Sequence, residues 1–296
     1  MQPRSTSIPK TRETFSFMSV FSAFLYPAFG VLLLTTMILL GAFLSGAGLH
    51  WYYLPLGFGV AAFAVFLCNL GIGPMHRIWQ HRAGEITGFG GAIVAFNLAL
   101  AMQGKVTDWV NYHSQHHRFA DKPGDPHNPS EGKRWAWVGW IIWRDPNDMA
   151  RPMPMWIKDN PAARFLDNRY NLLSLLVHLV IPVIAYLATW MLGGTLILVG
   201  ILHASVIIGR AVQFHATVYG INVLGHLPTP KWADHAMALL TGGEAYHDHH
   251  HDDPASALHL PRKGLFNRIF DYNGTTLLIF EKLGWAKNLK IAPQFA

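Results

Sequence analysis

The stretch YLPLGFGVAAFAVFLCNLGIGPMHRIWQHR, residues 53–82, runs from an apolar segment directly into two histidines, His76 and His81. No Asp, Glu, Lys or Arg occurs between Glu13 and Arg77. That interval can hold two helices of about 20 residues, the length that crosses about 30 Å of hydrocarbon. The histidine pair is therefore expected where a membrane-spanning helix reaches the edge of the bilayer.

Two further histidine clusters also follow uncharged stretches. They read HSQHH at residues 113–117 and HDHHH at residues 247–251. On a helix, positions i, i+3 and i+4 share one face, so each HxxHH is expected to direct three ring nitrogens at one point. The HxxxxH pair is separated by about 140° of helical rotation, which suits ligands that serve two different ions. Three such clusters predict a two-metal centre, whereas any one alone could be a solvated histidine patch.

The donor set favours iron over structural zinc. All-nitrogen ligation with positions open to oxygen suits iron, whereas structural zinc is usually closed by four ligands, often cysteines. Eight clustered histidines fit two irons with a ligand or two still to be found. One candidate is His226, and Asn222, one helical turn earlier, could reach the same metal directly or through water. We expect His249, a spacer, not to be a primary ligand. The remaining histidines are expected to be packed or surface residues: His50, His178, His203, His215, His235 and His259.

The composition is typical of a membrane protein. Hydrophobic residues make up 51% of the chain and charged residues only 14%, and the mean hydropathy is positive. A second charge-free interval runs from Tyr170 to Gly209, and the Gly193–Gly194 pair divides it. The first apolar run is too long to be a cleaved signal peptide, so the mature chain is expected to keep it. We predict four spans, near residues 26–46, 53–73, 172–192 and 195–213.

The distribution of Lys and Arg predicts the orientation. These residues precede the first span, occupy the middle segment and follow the fourth span, which places both termini and all three histidine clusters in the cytoplasm. The short apolar stretch near residues 89–102 is expected to be an interfacial helix, because a fifth crossing would separate the first and second clusters. We therefore predict an all-α integral membrane protein, a single domain over residues 1–296. Its four transmembrane helices carry a cytosolic helical cap that holds a histidine-rich dimetal site.

Cysteine count and charge exclude several classes of function. The single cysteine, Cys68, excludes an intramolecular disulfide framework and any cysteine-rich zinc or iron–sulfur site. The net charge of +6 comes without a compact basic run or a nucleic-acid-binding module, so no nucleic-acid partner is expected. The excess of positive charge fits binding to membrane lipid or to an acidic redox partner better.

The motifs resemble the membrane fatty acid desaturase superfamily, and within it the acyl-CoA (stearoyl-type, delta-9) desaturase branch, from about residue 76 to the end of the chain. The matching motifs are HRxWxHR at 76–82, DWxxxHxxHHxF at 108–119, DPHN at 125–128, VGW at 138–140, NxxxH at 222–226 and GExxHxxHH at 243–251. The resemblance implies a diiron centre, with Asn222 acting through a bound water. Its ligands would be His76, His81, His113, His116, His117, His226, His247, His250 and His251.

The resemblance also implies a substrate and a reaction. Two Fe ions, O2 and two electrons would remove two hydrogens from adjacent methylenes of a fatty acyl chain and leave a cis double bond. Gln103 and Trp109 would line a bend of the acyl tunnel beside the metals. Asn111 and Tyr112 stand where many acyl-CoA desaturases carry Arg and Asp that contact CoA, so the substrate can be CoA- or lipid-linked. No HPGG motif of a cytochrome b5 module is present. We therefore expect a separate electron donor, of cytochrome b5, ferredoxin or rubredoxin type, and its reductase.

Three alternatives remain open at this stage. A related diiron hydroxylase or oxygenase of an apolar lipid would share the metal site. A metal transporter would instead place ionisable ligands inside the spans. Finally, we predict that the first two spans form the blind end of the tunnel, lined by small residues of the second span, and the alternative is that these residues only allow close helix packing. These residues are Gly57, Gly59, Ala61, Ala62 and Ala64.

Overall fold

The computed structural model describes residues 14–45, 50–144 and 152–296. Residues 46–49, between the first two predicted spans, and the basic residues before the first span lie outside the described residues. Within the described residues, the α-helices are α1 (Phe17–Val20), α2 (Tyr26–Ser45), α3 (Tyr53–Pro74), α4 (Gly88–Ala101), α5 (Val106–Phe119), α6 (Trp140–Ile142), α7 (Met155–Lys158), α8 (Pro161–Leu175), α9 (Ile181–Met191), α10 (Leu196–His215), α11 (Lys231–Thr241), α12 (His247–Asp252), α13 (Leu265–Phe270) and α14 (Tyr272–Lys282).

Short π-helical segments join several of these helices into longer rods. They cover Phe21–Leu25, Met75–Gln80, Trp135–Gly139, Leu176–Val180 and Ala216–Ile221. Turns of 3₁₀-helix occur at Pro129–Glu131, Leu224–His226 and Pro293–Phe295. Four strands, β1 (Thr14–Phe15), β2 (Glu85–Ile86), β3 (Trp143–Arg144) and β4 (Ala286–Lys287), form two antiparallel pairs, β1 with β3 and β2 with β4.

The four predicted spans are confirmed. Helical segments long and apolar enough to cross a membrane are Phe17–Leu44, Tyr53–Gln80, Pro161–Met191 and Leu196–His226. The last three segments extend beyond the charge-free stretches, because their helices continue through π-helical or amphipathic turns. The protein is a multi-pass membrane protein, and its cap is continuous with its spans.

The apolar stretch predicted as an interfacial helix forms α4, which packs against α3 and α8. At its C-terminus Met102 adopts a left-handed conformation with φ 52°, and Gly104 follows with φ 95°. The chain then enters α5 at an angle of 83° to α4. The sharp turn Met102–Gly104 therefore lies between an apolar helix and the helix that carries the second histidine cluster. The position of α4 relative to the bilayer stays a prediction.

The second and fourth spans pack closely through small residues. A Cβ atom on Gly57 would lie 3.0 Å from Ser205 Oγ, and one on Gly209 would collide with the backbone of Ala61. Such contacts between small residues let two membrane helices approach. These contacts support the packing interpretation for Gly57 and Ala61, whereas a Cβ atom on Gly59 would meet nothing within 4 Å.

The C-terminal segment ties the cap together. Lys290 donates its backbone N–H to Ala83 O at 2.8 Å, and its carbonyl accepts from Ala257 N at 2.7 Å. Ala83 follows the first histidine cluster, and Ala257 follows the third. The segment thus connects two histidine clusters that are far apart in the sequence.

Candidate metal centre

The first histidine pair lies on a π-helical turn. His81 N donates to His76 O at 3.1 Å, a bond between residues five apart. In a π-helix such residues lie one turn apart, on nearly the same face. The two ring centroids are 4.9 Å apart. The expectation that this pair serves two different ions is therefore wrong, because it assumed α-helical rotation.

All nine histidines named as ligand candidates gather at one end of the spans. They form two groups, and within each group the available ring nitrogens lie within 4.8 Å of one another. The five-histidine group consists of His76, His81, His113, His117 and His250. The four-histidine group consists of His116, His226, His247 and His251.

Each HxxHH motif is divided between the groups. On α5, His113 and His117 join the five-histidine group, whereas His116 joins the other group. Positions i+3 and i+4 differ by about 100° on a helix, so neighbouring histidines diverge when two centres lie side by side. The expectation that each motif directs three nitrogens at one point is therefore wrong. The third cluster is divided in the reverse sense, with His250 in the five-histidine group.

The ring nitrogens converge more closely than hydrogen bonding among imidazoles allows. His113 Nε2 lies 3.0 Å from His76 Nε2, 2.8 Å from His81 Nε2 and 2.9 Å from His117 Nε2. A neutral imidazole has one N–H and one lone pair, so one ring cannot satisfy three such neighbours. In the four-histidine group, His247 Nε2 lies 2.8 Å from His226 Nε2. Convergent lone pairs of this kind form a donor set for metal cations, and the residues fit iron.

Three carboxylates fix the orientation of three histidine rings by accepting a hydrogen bond from the ring nitrogen that faces away from the group. Nδ1–H groups donate from His76 to Glu244 at 2.7 Å, from His116 to Asp125 at 3.0 Å and from His226 to Asp121 at 3.0 Å. With the proton on Nδ1, each Nε2 lone pair faces its group, the arrangement that supports metal ligation. Sequence reasoning missed these three roles. Glu244 and Asp125 stand inside the quoted motifs, whereas no pattern marked Asp121.

Glu244 stays ionised at the centre of a buried network. Burial alone would raise the pKa of its carboxyl, but the Arg77 guanidinium and the neighbouring His259 and His76 hold that pKa well below its ordinary value. Arg77 is fully buried and bonds to Glu244 at 2.9 Å and to Asp271 at 2.8 Å. A fixed negative charge therefore lies beside His76, where it favours a cation in the five-histidine group.

Three histidines of the third cluster, His247, His250 and His251, favour the neutral form. Burial lowers the pKa of His247 and His250 well below the ordinary value, and it lowers the pKa of His251 to about 4. Neutral imidazole is the form that binds metal. His249 is exposed and its Nδ1 pairs with His259 O at 2.9 Å, outside both groups. The prediction that His249 is a spacer thus agrees with its position.

A cavity of about 870 Å³ adjoins the five-histidine group. Its lining includes His113 of that group, Gln103, Trp109 and Asn222. The Trp109 ring stacks on His113 with centroids 4.7 Å apart, and Gln103 Nε2 donates to Gln213 Oε1 at 3.3 Å. The structure thus places both residues named for substrate binding on the cavity wall, and it places Trp109 against a histidine of the group. It places Asn222 on the cavity wall, and the role of this side chain through a water stays a prediction.

The cavity follows one face of the third span. Its lining there consists of Tyr170, Asn171, Ser174, Leu175, His178, Leu179, Pro182, Val183 and Tyr186. At a rise of 1.5 Å per residue, Tyr170 to Tyr186 covers about 24 Å. Phe29 of the first span and His203 of the fourth also line it, whereas no second-span residue does within the described chain. The first span thus lines the cavity, whereas the predicted part of the second span in it is wrong.

No family model matches the chain. The similar proteins among known sequences agree in being named desaturases. It is 28% identical to the sn-1 stearoyl-lipid 9-desaturase of Synechocystis sp., over 92% of this chain and 83% of the relative. It is 30% identical to the Delta-9 desaturase-like 2 protein of Arabidopsis thaliana, over 73% and 70% of the respective chains. It is also 27% identical to Acyl-CoA desaturase 1 of Saccharomyces cerevisiae, over 81% of this chain and 49% of the relative.

Proposed function

The chain belongs to the membrane fatty acid desaturase family, and from this we propose that it uses O2 and two electrons to introduce a cis double bond at the delta-9 position of a saturated acyl chain. Membership in the family makes it a membrane oxidoreductase that acts on fatty acyl groups. The position of the double bond, the cofactor and the electron supply are parts of the proposal.

The proposal depends on one observation, that a long cavity reaches a histidine group. His113 belongs to the five-histidine group and also lines the cavity. The bilayer core of about 30 Å holds two layers of acyl chains, so a groove of about 24 Å can receive one extended chain. An acyl chain in this cavity passes Trp109 and Gln103 on its way along the third span.

One iron would be held by the five-histidine group and a second iron by the four-histidine group. Asn222 would contact the second iron through a bound water. Iron bound there supplies the activation of O2 that removal of hydrogen from an unactivated methylene requires. Glu244, Asp125 and Asp121 keep the Nε2 lone pairs of their histidines turned toward the groups. This arrangement supports ligation without any cysteine.

The cavity residues position the chain and exclude water. All methylenes of a saturated chain are chemically alike, so the cavity can select one pair only by geometry. The Trp109 ring lines the cavity and stacks on His113, and Gln103 stands at the Met102–Gly104 turn. A chain that bends at this turn presents one short segment to the five-histidine group.

The carrier and the electron donor complete the proposal. Lys105, Asp108 and Arg144 line the same cavity, and Arg144 Nη1 lies 3.1 Å from Asp108 Oδ2. This polar end suits the head group of a CoA- or lipid-linked acyl chain. We propose that a separate cytochrome b5, ferredoxin or rubredoxin type protein and its reductase supply electrons. The histidines, both termini and this partner would share the cytoplasmic side.

Expression in a host that cannot make unsaturated fatty acids tests the function. Lipid analysis should find monounsaturated acyl chains, with the double bond at one main position, only when the wild-type chain is present. The matched control is His250→Ala, which removes one ring of the five-histidine group. Saturated lipids alone, from a host that contains inserted wild-type protein and a working electron donor, would contradict the proposal.

A further inference from the structure

Helix α4 ends between the spans, where the carbonyl groups of its last turn need partners. The last four C=O groups of any helix lack a bond within the helix. Ala99, Leu100 and Ala101 are buried, and a buried carbonyl without a hydrogen-bond partner is costly. The chain cannot continue the helix here, because Met102 adopts a left-handed conformation.

Side chains from three different spans bond these carbonyls. His178 of the third span donates from Nε2 to Leu100 O at 3.1 Å and Ala99 O at 3.3 Å. Arg210 of the fourth span donates from Nε to Ala101 O at 3.2 Å. Ser22 of the first span donates from Oγ to Met102 O at 3.2 Å. Four consecutive carbonyls thus connect α4 with every span that lines the cavity.

Arg210 is the unusual member of this cluster. Its side chain is fully buried, and in the described part of the chain no carboxylate forms an ion pair with it. Its guanidinium instead bonds to Ser22 O, Ser22 Oγ and Ala101 O, and it lies 5.2 Å from the centre of the Phe214 ring. The partial negative charge at a helix C-terminus stabilises a cation there. A charge inside a span is costly, which favours a functional reason for keeping it.

The neighbours of Arg210 form the cavity wall at the turn. Ser22, Phe214 and the whole turn Met102–Gly104 line the cavity, whereas Arg210 stands behind them. After this turn the chain enters α5, which carries Trp109 and His113. Movement of the turn would therefore displace the bend of the cavity relative to the five-histidine group.

We propose that Arg210 is a positioning residue that fixes the Met102–Gly104 turn and thereby determines which methylene pair of the acyl chain lies beside the five-histidine group. The inference rests on the proposed function and adds the residue that sets its regiochemistry. Arg210 does not touch the substrate. It acts through Ser22, Phe214 and the C-terminus of α4, and its planar fork holds Ser22 and Ala101 in one geometry, which a lysine cannot reproduce.

The test compares Arg210→Met and Arg210→Lys with Ser205→Ala. Ser205 lies on the same helix and is buried, but among the described residues its hydroxyl donates only to Ile201 O of its own helix, and it does not line the cavity. Double-bond positions are measured in the acyl products of each variant. Arg210→Met should raise the share of minor positional isomers about tenfold, since a small misplacement near a reacting centre changes rates strongly. Arg210→Lys should be intermediate, and Ser205→Ala should match the wild type.

Hydrogen exchange supplies a readout that does not depend on activity. Backbone amides at residues 99–106 should exchange several-fold faster in Arg210→Met than in the wild type or Ser205→Ala, because the turn loses its clamp. Unchanged exchange there, or unchanged isomer proportions in an inserted Arg210→Met protein, would overturn the inference. A uniform loss of activity with wild-type proportions would overturn it too.

A second variant covers the case in which Arg210→Met does not fold. Ser22→Ala removes the donor to Met102 O and one acceptor of Arg210 with little change of volume. It should shift the isomer proportions in the same direction, and wild-type proportions in Ser22→Ala would overturn the inference. A wild-type chain that forms no double bond contradicts the proposed function instead, and hydrogen exchange still decides whether Arg210 holds the turn.

Discussion

The Nε2 atoms of His117 and His250 lie 2.9 Å apart, although 133 positions separate the two residues in the chain. His117 is on α5 and His250 is on α12, so the helices that carry the second and third clusters meet at the five-histidine group. Because each of these helices also contributes to the four-histidine group, the two groups share their supports. Each of the nine rings belongs to only one group, so the loss of a single ring is expected to disable that group first.

The first prediction is that His250→Ala or His116→Ala abolishes desaturation while the protein still inserts into membranes. Each change removes one converging ring nitrogen, so iron content should fall from about two to about one per chain. The control is His249→Ala, on the same short helix but exposed and directed away from both groups. Metal analysis and product analysis on the same preparations check this. Full activity of His116→Ala would remove that residue from the site.

The second prediction concerns the carboxylate behind His76. Glu244→Gln removes the charge that orients this imidazole and that compensates Arg77, so iron affinity or activity should fall about 10- to 100-fold. The protein should also lose thermal stability, because Arg77 is fully buried and keeps only Asp271 as its ionised partner. Asp248→Asn, at an exposed position of α12, is the matched control. Wild-type iron affinity in Glu244→Gln would contradict the assigned role.

The third prediction is a pH dependence of the stability of metal-free protein. Burial alone would raise the pKa of Asp125, but the hydrogen bond from His116 and the nearby His127 lower it from an ordinary 3.8 to about 2. The unfolded chain therefore binds this proton more tightly than the folded one. The stabilisation is fully present above pH 3.8 and is lost as the pH falls through about 2.

Thermal unfolding of wild type and Asp125→Asn between pH 2 and pH 6 checks this dependence. The difference between the two proteins should be constant at the upper end and shrink toward the lower end. Asp248→Asn, which changes an exposed carboxylate, should follow the wild type throughout. A difference that grows as the pH falls would have the wrong sign.

The positions of the spans followed from the sequence because they depend on composition alone. The same holds for the grouping of eight of the nine histidines, since their residue type and spacing are local, whereas His226 entered the set through the resemblance to the desaturase family. The division of those histidines between two groups did not follow. It depends on the π-helical turn that ends at His81 and on the meeting of α5 with α12, and both are consequences of tertiary packing. The role of Arg210 could not be predicted from the sequence for a similar reason, because its hydrogen-bond partners come from the first span and from α4.

The fourth prediction separates cavity residues from packing residues. Val183→Phe should shift the products toward shorter acyl chains with the same double-bond position, because Val183 lines the far part of the cavity. Gly57→Leu should instead lower stability and yield without a change of chain length, since a side chain there meets Ser205 and Ile201. Profiling of acyl products in both variants is the measurement. A chain-length shift in Gly57→Leu would restore the second span as part of the cavity.

The fifth prediction is that the histidine cap lies wholly on the cytoplasmic side. Cysteines introduced at Ser130 and Lys263 should react with an impermeant reagent only from the cytoplasmic face, and one at Thr195 only from the opposite face. All three positions are exposed, and the natural Cys68 is buried and should not react. Labelling of Ser130→Cys and Lys263→Cys from opposite sides would contradict a metal centre shared by the second and third histidine clusters.

The mass of the acyl product that the purified, iron-loaded protein forms is the most direct test of desaturation. The protein is supplied with a saturated acyl substrate, O2 and a reduced electron-donor protein, and His250→Ala is treated in parallel. We predict that the wild type forms a product lighter than the substrate by two hydrogen atoms and that the variant does not form it. A product heavier by one oxygen atom, or unchanged substrate in spite of bound iron and reducing equivalents, would contradict it.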